Sequence, residues 1–239
     1  GTMGASFVDY LIADAFIVPP GRETAYSEQI AYLSPCWQCN DQTRPVIAPL
    51  SRQEYGLPDD AFVYCCFNQA VKITPEVFAC WMSLLHNAPH TVLWLADDSA
   101  EATRNLTAAA IAQGIAQERL IFAPRLPLPQ HLARYQAADL ALDTYPYTSH
   151  TTASDALWLG CPLIALCGDT FPSRVSGSIL SACGLPELIT YTLQEYQQLA
   201  ARFANDPEFA SATRARWAAM RISAPLFDAT TTARNLEAV

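Results

Sequence analysis

Ala138-Asp-Leu-Ala-Leu-Asp-Thr-Tyr-Pro-Tyr-Thr-Ser-His-Thr-Thr-Ala-Ser-Asp-Ala-Leu-Trp-Leu-Gly160 reads as a buried strand, a polar turn and a short helix. The strand is Asp139 to Asp143, hydroxyl residues between Ser149 and Thr151 open the helix as caps for its orphan N–H groups, and Gly160 closes it. A helix start aimed out of the carboxyl end of a strand offers free donors and partial positive charge, which favour an anion such as phosphate. A plain hydroxyl cap with no ligand is the commoner meaning of such a start, and at this point both readings stand.

Outward from this stretch the pattern is regular. Apolar strands of a few residues alternate with amphipathic helices, the signature of a parallel sheet covered on both faces. Six strands are expected: Phe62–Phe67, Thr91–Leu95, Leu120–Phe122, Asp139–Asp143, Leu163–Leu166 and Glu187–Ile189. Thr74-Pro75-Glu76 places proline at a first helical position, and Thr192-Leu-Gln-Glu195 is a capping box. Two helices, near Pro207 to Arg221 and after Asp228, close the chain. The fold class is therefore α/β, a doubly wound, Rossmann-like parallel sheet. Residues 1–50 look like a lead-in with strand-like Tyr10–Ala13 and Gln29–Leu33, too few elements to close a core of their own. Pro45 to Pro49 reads as a linker and Ser51 to Tyr55 as a short helix stopped by Gly56, which divides the chain into 1–50 and 51–239.

Composition narrows the function. With 239 residues, 51% of them hydrophobic, the chain can bury a large core. A formal charge of −9 argues against a nucleic-acid partner, so any anionic ligand needs a local positive site. No apolar run is long enough to span a bilayer and no secretory leader is visible, so neither a membrane role nor secretion is expected. Most of the eight cysteines lie in apolar runs, as unpaired thiols in a reducing, cytoplasmic compartment do. Cys36-Trp-Gln-Cys39 is a lone C-x-x-C with no second pair at metal spacing. The basic residues are thirteen arginines and one lysine, Lys72.

In the doubly wound order 3-2-1-4-5-6, ligands bind beyond the carboxyl ends of the first and fourth strands, where the order reverses. The loop after the first strand is Asn68-Gln-Ala-Val-Lys72, and the loop after the fourth leads to His150-Thr-Thr152. The topological crevice and the solitary lysine thus coincide, which favours the phosphate reading. The first loop lacks the glycines of a dinucleotide fingerprint, and no Walker loop or Asp-x-Asp pair occurs. Positive charge must come from Lys72, His150 and the helix start.

At these residues the chain resembles the protein O-linked N-acetylglucosamine transferases, two-lobed GT-B glycosyltransferases that carry tetratricopeptide repeats upstream. The resemblance runs through Tyr64-Cys-Cys-Phe-Asn-Gln69 with Lys72, Val92-Leu-Trp-Leu95, Asp143-Thr144, His150-Thr-Thr152 and Asp155-Ala-Leu-Trp158 to Gly160. It continues through Arg174-Val175 and Glu187–Ile189, while Gly1–Ala5 with Asp9-Tyr10 looks like the end of the preceding lobe. The fold it implies is the donor-binding lobe of a GT-B enzyme. The function it implies is inverting, metal-independent transfer of N-acetylglucosamine from UDP-GlcNAc to Ser or Thr hydroxyls of an acceptor protein, with no cofactor beyond the donor. Lys72 and His150 correspond to the catalytic pair at the diphosphate and sugar. Gln69, Thr151 and Thr152 correspond to phosphate contacts, Asp155 to the carboxylate on the ribose, and His131 and Arg134 to residues beside the uracil. Without the resemblance, His131 and Arg134 read as a solvated helix face and Asp155 as a helix-dipole acid. Leu128 stands where the family often has a lysine near the ribose, and Tyr147 where it has a cysteine near the sugar. The long insertion of animal members is absent and arginine replaces lysine almost throughout, which suits a bacterial homologue. Its partners would be the UDP-sugar, a protein acceptor, and the upstream lobe that holds the general base. Two alternatives stay open: a UDP-sugar-binding module without transfer, and a GT-B transferase or epimerase using another sugar.

Overall fold

The computed structural model describes residues 2–239; Gly1, the first residue of the run compared with the preceding lobe, lies outside the described residues. The chain runs β1 (Tyr10–Ala13), β2 (Gln29–Tyr32), β3 (Phe62–Cys66), α1 (Pro75–Asn87), β4 (Thr91–Ala96), α2 (Ala100–Ala112), β5 (Leu120–Ala123), α3 (Leu128–Ala133), β6 (Leu140–Leu142), α4 (Thr151–Trp158), β7 (Leu163–Leu166), α5 (Phe171–Ala182), β8 (Ile189–Thr190), α6 (Leu193–Asn205), α7 (Pro207–Met220) and α8 (Ala229–Glu237). β3 to β8 form one parallel sheet in the order β5-β4-β3-β6-β7-β8, the doubly wound order expected, reversing between β3 and β6. Val63, Leu93, Leu140, Leu163 and Ile164 are almost wholly buried, because helices cover the sheet on both faces. Trp81, Trp94 and Trp217 fill the space between sheet and helices.

Helix starts follow local chemistry. The Thr74 hydroxyl accepts from the Val77 N–H ahead of Pro75 at the first turn of α1, and Thr192 with Glu195 forms the expected capping box on α6. Gly160 stops α4 with φ +83°, a left-handed conformation that glycine adopts without strain.

Several sequence expectations shift at their edges. β6 covers only Leu140–Leu142, with Asp139 and Asp143 flanking it; their N–H groups still donate to the Val63 and Ile164 carbonyls, while their carboxylates take Arg52 and Ser149. Ser51 to Tyr55 is not a helix but a turn, in which the Leu57 N–H returns to the Arg52 carbonyl and Gly56 has φ +73°. The segment Glu187–Ile189 is a strand only from Ile189, since Pro186 starts a 3-10 turn over Pro186–Leu188.

The first fifty residues have no core of their own; β1 and β2 pair in parallel and the rest wraps the main sheet. Ala13, Ile17, Val18 and Cys36 belong to the same buried cluster as the sheet. The wrap is pinned by Asp14, 1% exposed, whose carboxylate accepts from the N–H groups of Phe16, Ile17 and Trp37 and from the Ser178 hydroxyl on α5. Among the described residues no helix is long and apolar enough to cross a membrane.

Candidate functional site

The loops after β3 and β6 meet where the strand order reverses. Lys72 donates to the Thr148 carbonyl at 3.2 Å and to Asn68 Oδ1 at 3.4 Å, and its Nζ lies 4.4 Å from the centre of the Tyr147 ring. Tyr147 in turn stacks on His150, with ring centres 5.2 Å apart and planes at 18°. Lys72 and His150, predicted from the sequence, are thus brought together with the half-exposed Tyr147 ring against both. Burial lowers the Lys72 pKa, opposed by the charge of Asp143.

His150 is the residue preceding α4, but neither it nor any hydroxyl caps the helix. The expected cap fails because Asp143 competes for it: Ser149 directs both its N–H and its hydroxyl to Asp143 Oδ1, each at 2.7 Å. The first turn of α4, carrying Thr151 and Thr152, therefore keeps donors that no side chain occupies. Burial, with Lys72 nearby, pushes the His150 pKa down to about 4, so at pH 7 its ring is neutral and the positive charge expected from it is not there. Its Nε2 is buried without a hydrogen-bond partner.

Beside this junction lies a cleft of about 380 Å³ whose walls include Gln69, Leu128, His131 and Arg134, at the carboxyl ends of β3, β4 and β5. The solvated helix face anticipated for His131 and Arg134 does not exist; Arg134 is 2% exposed, donates to the Pro124 carbonyl at 2.8 Å and packs its guanidinium over Phe67. Burial and the Arg134 charge depress the His131 pKa to about 4, and its ring meets Phe67 and Tyr135 edge-on. Asp97 and Asp98 close the far wall, Asp98 accepting from the Ala70 N–H at 3.1 Å.

Asp155, one turn into α4, points away from the cleft's walls toward the lead-in, where Arg44 donates to its Oδ1 at 2.7 Å. It is a buried, paired acid, not a surface group in the helix dipole, and burial pushes its pKa up to about 6 against the Arg44 charge.

Sequence reading missed the lead-in's share in this region. Trp37 packs edge-on against His150 and Phe171, Gln38 donates to Ser154 on α4 at 2.7 Å, and Arg44 holds Asp155. The Cys36-Trp-Gln-Cys39 run carried the signal, but its tryptophan and glutamine matter here; Cys36 is buried against the Ser178 hydroxyl while Cys39 is exposed. Asn68, Ser149 and Asp143 stand in the sequence as a loop residue, a helix cap and a strand end, and only the fold joins them.

Residues 38–236 match the model of glycosyl transferase family 41. Over 99% of its length the chain is 36% identical to the probable UDP-N-acetylglucosamine–peptide N-acetylglucosaminyltransferase SEC of Arabidopsis thaliana. Over 74% it is 37% identical to the UDP-N-acetylglucosamine–peptide N-acetylglucosaminyltransferase of Caenorhabditis elegans. It spans 25% and 16% of the length of these two relatives. Among solved structures, a mutant of the Thermobaculum terrenum O-GlcNAc transferase superposes with a TM-score of 0.86 at 30% identity, covering 96% of this chain and 44% of that one. A sucrose-phosphate synthase from Thermosynechococcus elongatus superposes with a TM-score of 0.66 at 17% identity, over 96% of this chain and 57% of that one, a likeness of the GT-B fold alone.

Proposed function

Because the chain belongs to glycosyl transferase family 41, we propose that it is the donor-binding half of an inverting, metal-independent enzyme that transfers N-acetylglucosamine from UDP-GlcNAc to protein Ser or Thr hydroxyls. An acceptor hydroxyl attacks C1 of the sugar from the face opposite the diphosphate. The bond from C1 to the phosphate oxygen breaks, UDP departs with its electron pair, and the hydroxyl proton passes to a base in an upstream lobe. Negative charge grows on the diphosphate, so this lobe's task is to hold that charge.

The observation that most supports the reading is the placing of Lys72. An ammonium has three donors, and Lys72 directs two of them to Thr148 and Asn68, leaving the third for a phosphate oxygen. The uncapped start of α4 at Thr151 and Thr152, with Gln69 opposite, supplies neutral donors. His150, neutral at pH 7, contributes a hydrogen bond to phosphate or sugar and no charge. The cleft of His131 and Arg134 would take the uracil, while Asp155, buried against Arg44 and outside that cleft, is left out of the ribose contact that the resemblance implied. Residues 1–50 are then the tail of the first lobe with its linker, and 51–239 the donor lobe. Tetratricopeptide repeats upstream, a protein acceptor and a cytoplasmic setting complete the proposal, the last in keeping with eight unpaired thiols.

Tyr147 favours one variant of this reading, transfer of another sugar from a UDP donor, because its ring occupies the space beside Lys72 and His150 where the sugar would begin. Product analysis of the complete protein with several UDP-sugars separates the two. The primary test is titration calorimetry of UDP against this chain. Lys72→Ala should weaken binding roughly tenfold to a hundredfold, the worth of a hydrogen bond to a charged group. Equal affinity in a folded variant overturns the assignment of Lys72.

A further inference from the structure

Lys72 does not stand alone at the reversal of the sheet. An ammonium can only donate, so Asn68 must turn its carbonyl oxygen to Lys72, at 3.4 Å. That leaves the Asn68 amide N–H to donate to Ser149 Oγ, at 2.6 Å. Ser149, having accepted, donates its own proton to Asp143 Oδ1, at 2.7 Å. An ionised carboxylate only accepts, so the two charged ends fix the direction of every bond between them, and bonds aligned head to tail polarise one another.

We propose that Asp143 is a positioning residue for Lys72, joined to it by this directed chain through Ser149 and Asn68. Asp143 and Ser149 are each 1% exposed and Asn68 5%, so water does not interrupt the chain or screen its carboxylate end. The carboxylate also collects the Thr144 and Ser149 N–H groups, which fixes the loop whose Thr148 carbonyl is the second acceptor for Lys72. The Tyr196 hydroxyl on α6 anchors the same point by donating to the Asp143 carbonyl at 2.9 Å. Asp143 thus sets two of the three ammonium directions; the third has no hydrogen-bond acceptor among the described residues, with the Tyr147 ring 4.4 Å from Nζ. The titratable groups around Asp143 are Lys72, Cys66, Cys167 and Tyr196, and only Lys72 brings positive charge. That Lys72 meets a diphosphate rests on the proposed function; the chain of hydrogen bonds does not.

The chain's single lysine makes the test direct. Labelling with 13C-lysine gives one side-chain Cε resonance, whose titration without nucleotide reads the Lys72 pKa. Asp143→Asn removes the far charge and Ser149→Ala breaks the chain at its middle. Asp143→Asn is expected to lower the Lys72 pKa by about one pH unit, the scale of losing a nearby opposite charge, and Ser149→Ala, which keeps that charge but cuts the bonds that transmit it, by about half a unit. Each should also weaken UDP binding roughly tenfold in the wild-type background and leave it unchanged in a Lys72→Ala background, the non-additivity of residues that act through one another. A midpoint that stays within about 0.2 pH unit in the folded variants overturns the proposal. Should Asp143→Asn not fold, as judged by circular dichroism, Ser149→Ala carries the decision. Failure of the wild-type chain to bind UDP would count against the functional reading, while the lysine titration would still decide the role of Asp143.

Discussion

Lys72 was conspicuous in the sequence for being the only lysine, and in the structure its surroundings are built from neutral acceptors and a remote carboxylate. Under the proposed function, such an ammonium is preorganised for charge that develops only as the diphosphate leaves. In a complete enzyme, Lys72→Ala is expected to lower kcat about 100 to 1000-fold with a smaller effect on KM, measured by transfer of labelled sugar. His131 carries a second prediction. Its pKa falls from 6.5 to about 4 on folding, so the unfolded chain binds the extra proton between those values. Its contribution to stability is complete above pH 6.5 and is lost as pH falls through about 4. Replacing it by His131→Gln should therefore raise stability relative to wild type as pH drops from about 7.5 to 5, in paired thermal melts; a constant difference across that range would refute the shift. What the sequence could not disclose at this scale was partnership. Arg44 and Asp155 lie 111 residues apart, and no local pattern marks them as a pair.

At the scale of elements, the parallel sheet and its reversal were legible because burial on both faces forces nearly continuous apolar runs, and those runs alternate with capped helices. The errors fall where a side chain competes with the backbone. Ser149 turns from the helix to Asp143, and Pro186 converts an apolar segment into a 3-10 turn. α5 shows a requirement invisible in one dimension: a methyl group on Gly177 would press into the Cys167 sulfur and the Phe16 ring. Phe16 belongs to the lead-in, and Arg174 on the same helix donates to its carbonyl at 2.7 Å. Gly177→Ala should lower stability by about 1–3 kcal/mol through overpacking, read by urea unfolding.

Across the whole molecule, the first fifty residues complete the core rather than precede it. Ile17 and Val18 are 2% and 1% exposed, and the buried Asp14 carboxylate serves three backbone N–H groups at once. A chain beginning at Pro45 would uncover this apolar surface and lose Trp37 from His150 and Arg44 from Asp155. It is expected to melt roughly 10 °C or more below the full chain, given about 2–4 °C per kcal/mol for a chain of this size. An unchanged melting temperature would show the lead-in to be dispensable. The pairing of β3 with β6 brings Asn68 against Ser149 across 81 residues of sequence. While the chain is being synthesised, the half-sheet of β3, β4 and β5 can form with Lys72 already in it, yet the carbonyl and the carboxylate that orient this lysine have not been made. Under the proposed function, recognition is thus an event in time as well as a place: the protein becomes able to hold its nucleotide only when its two halves close on each other, and nucleotide present during refolding would trap finished molecules and ignore unfinished ones.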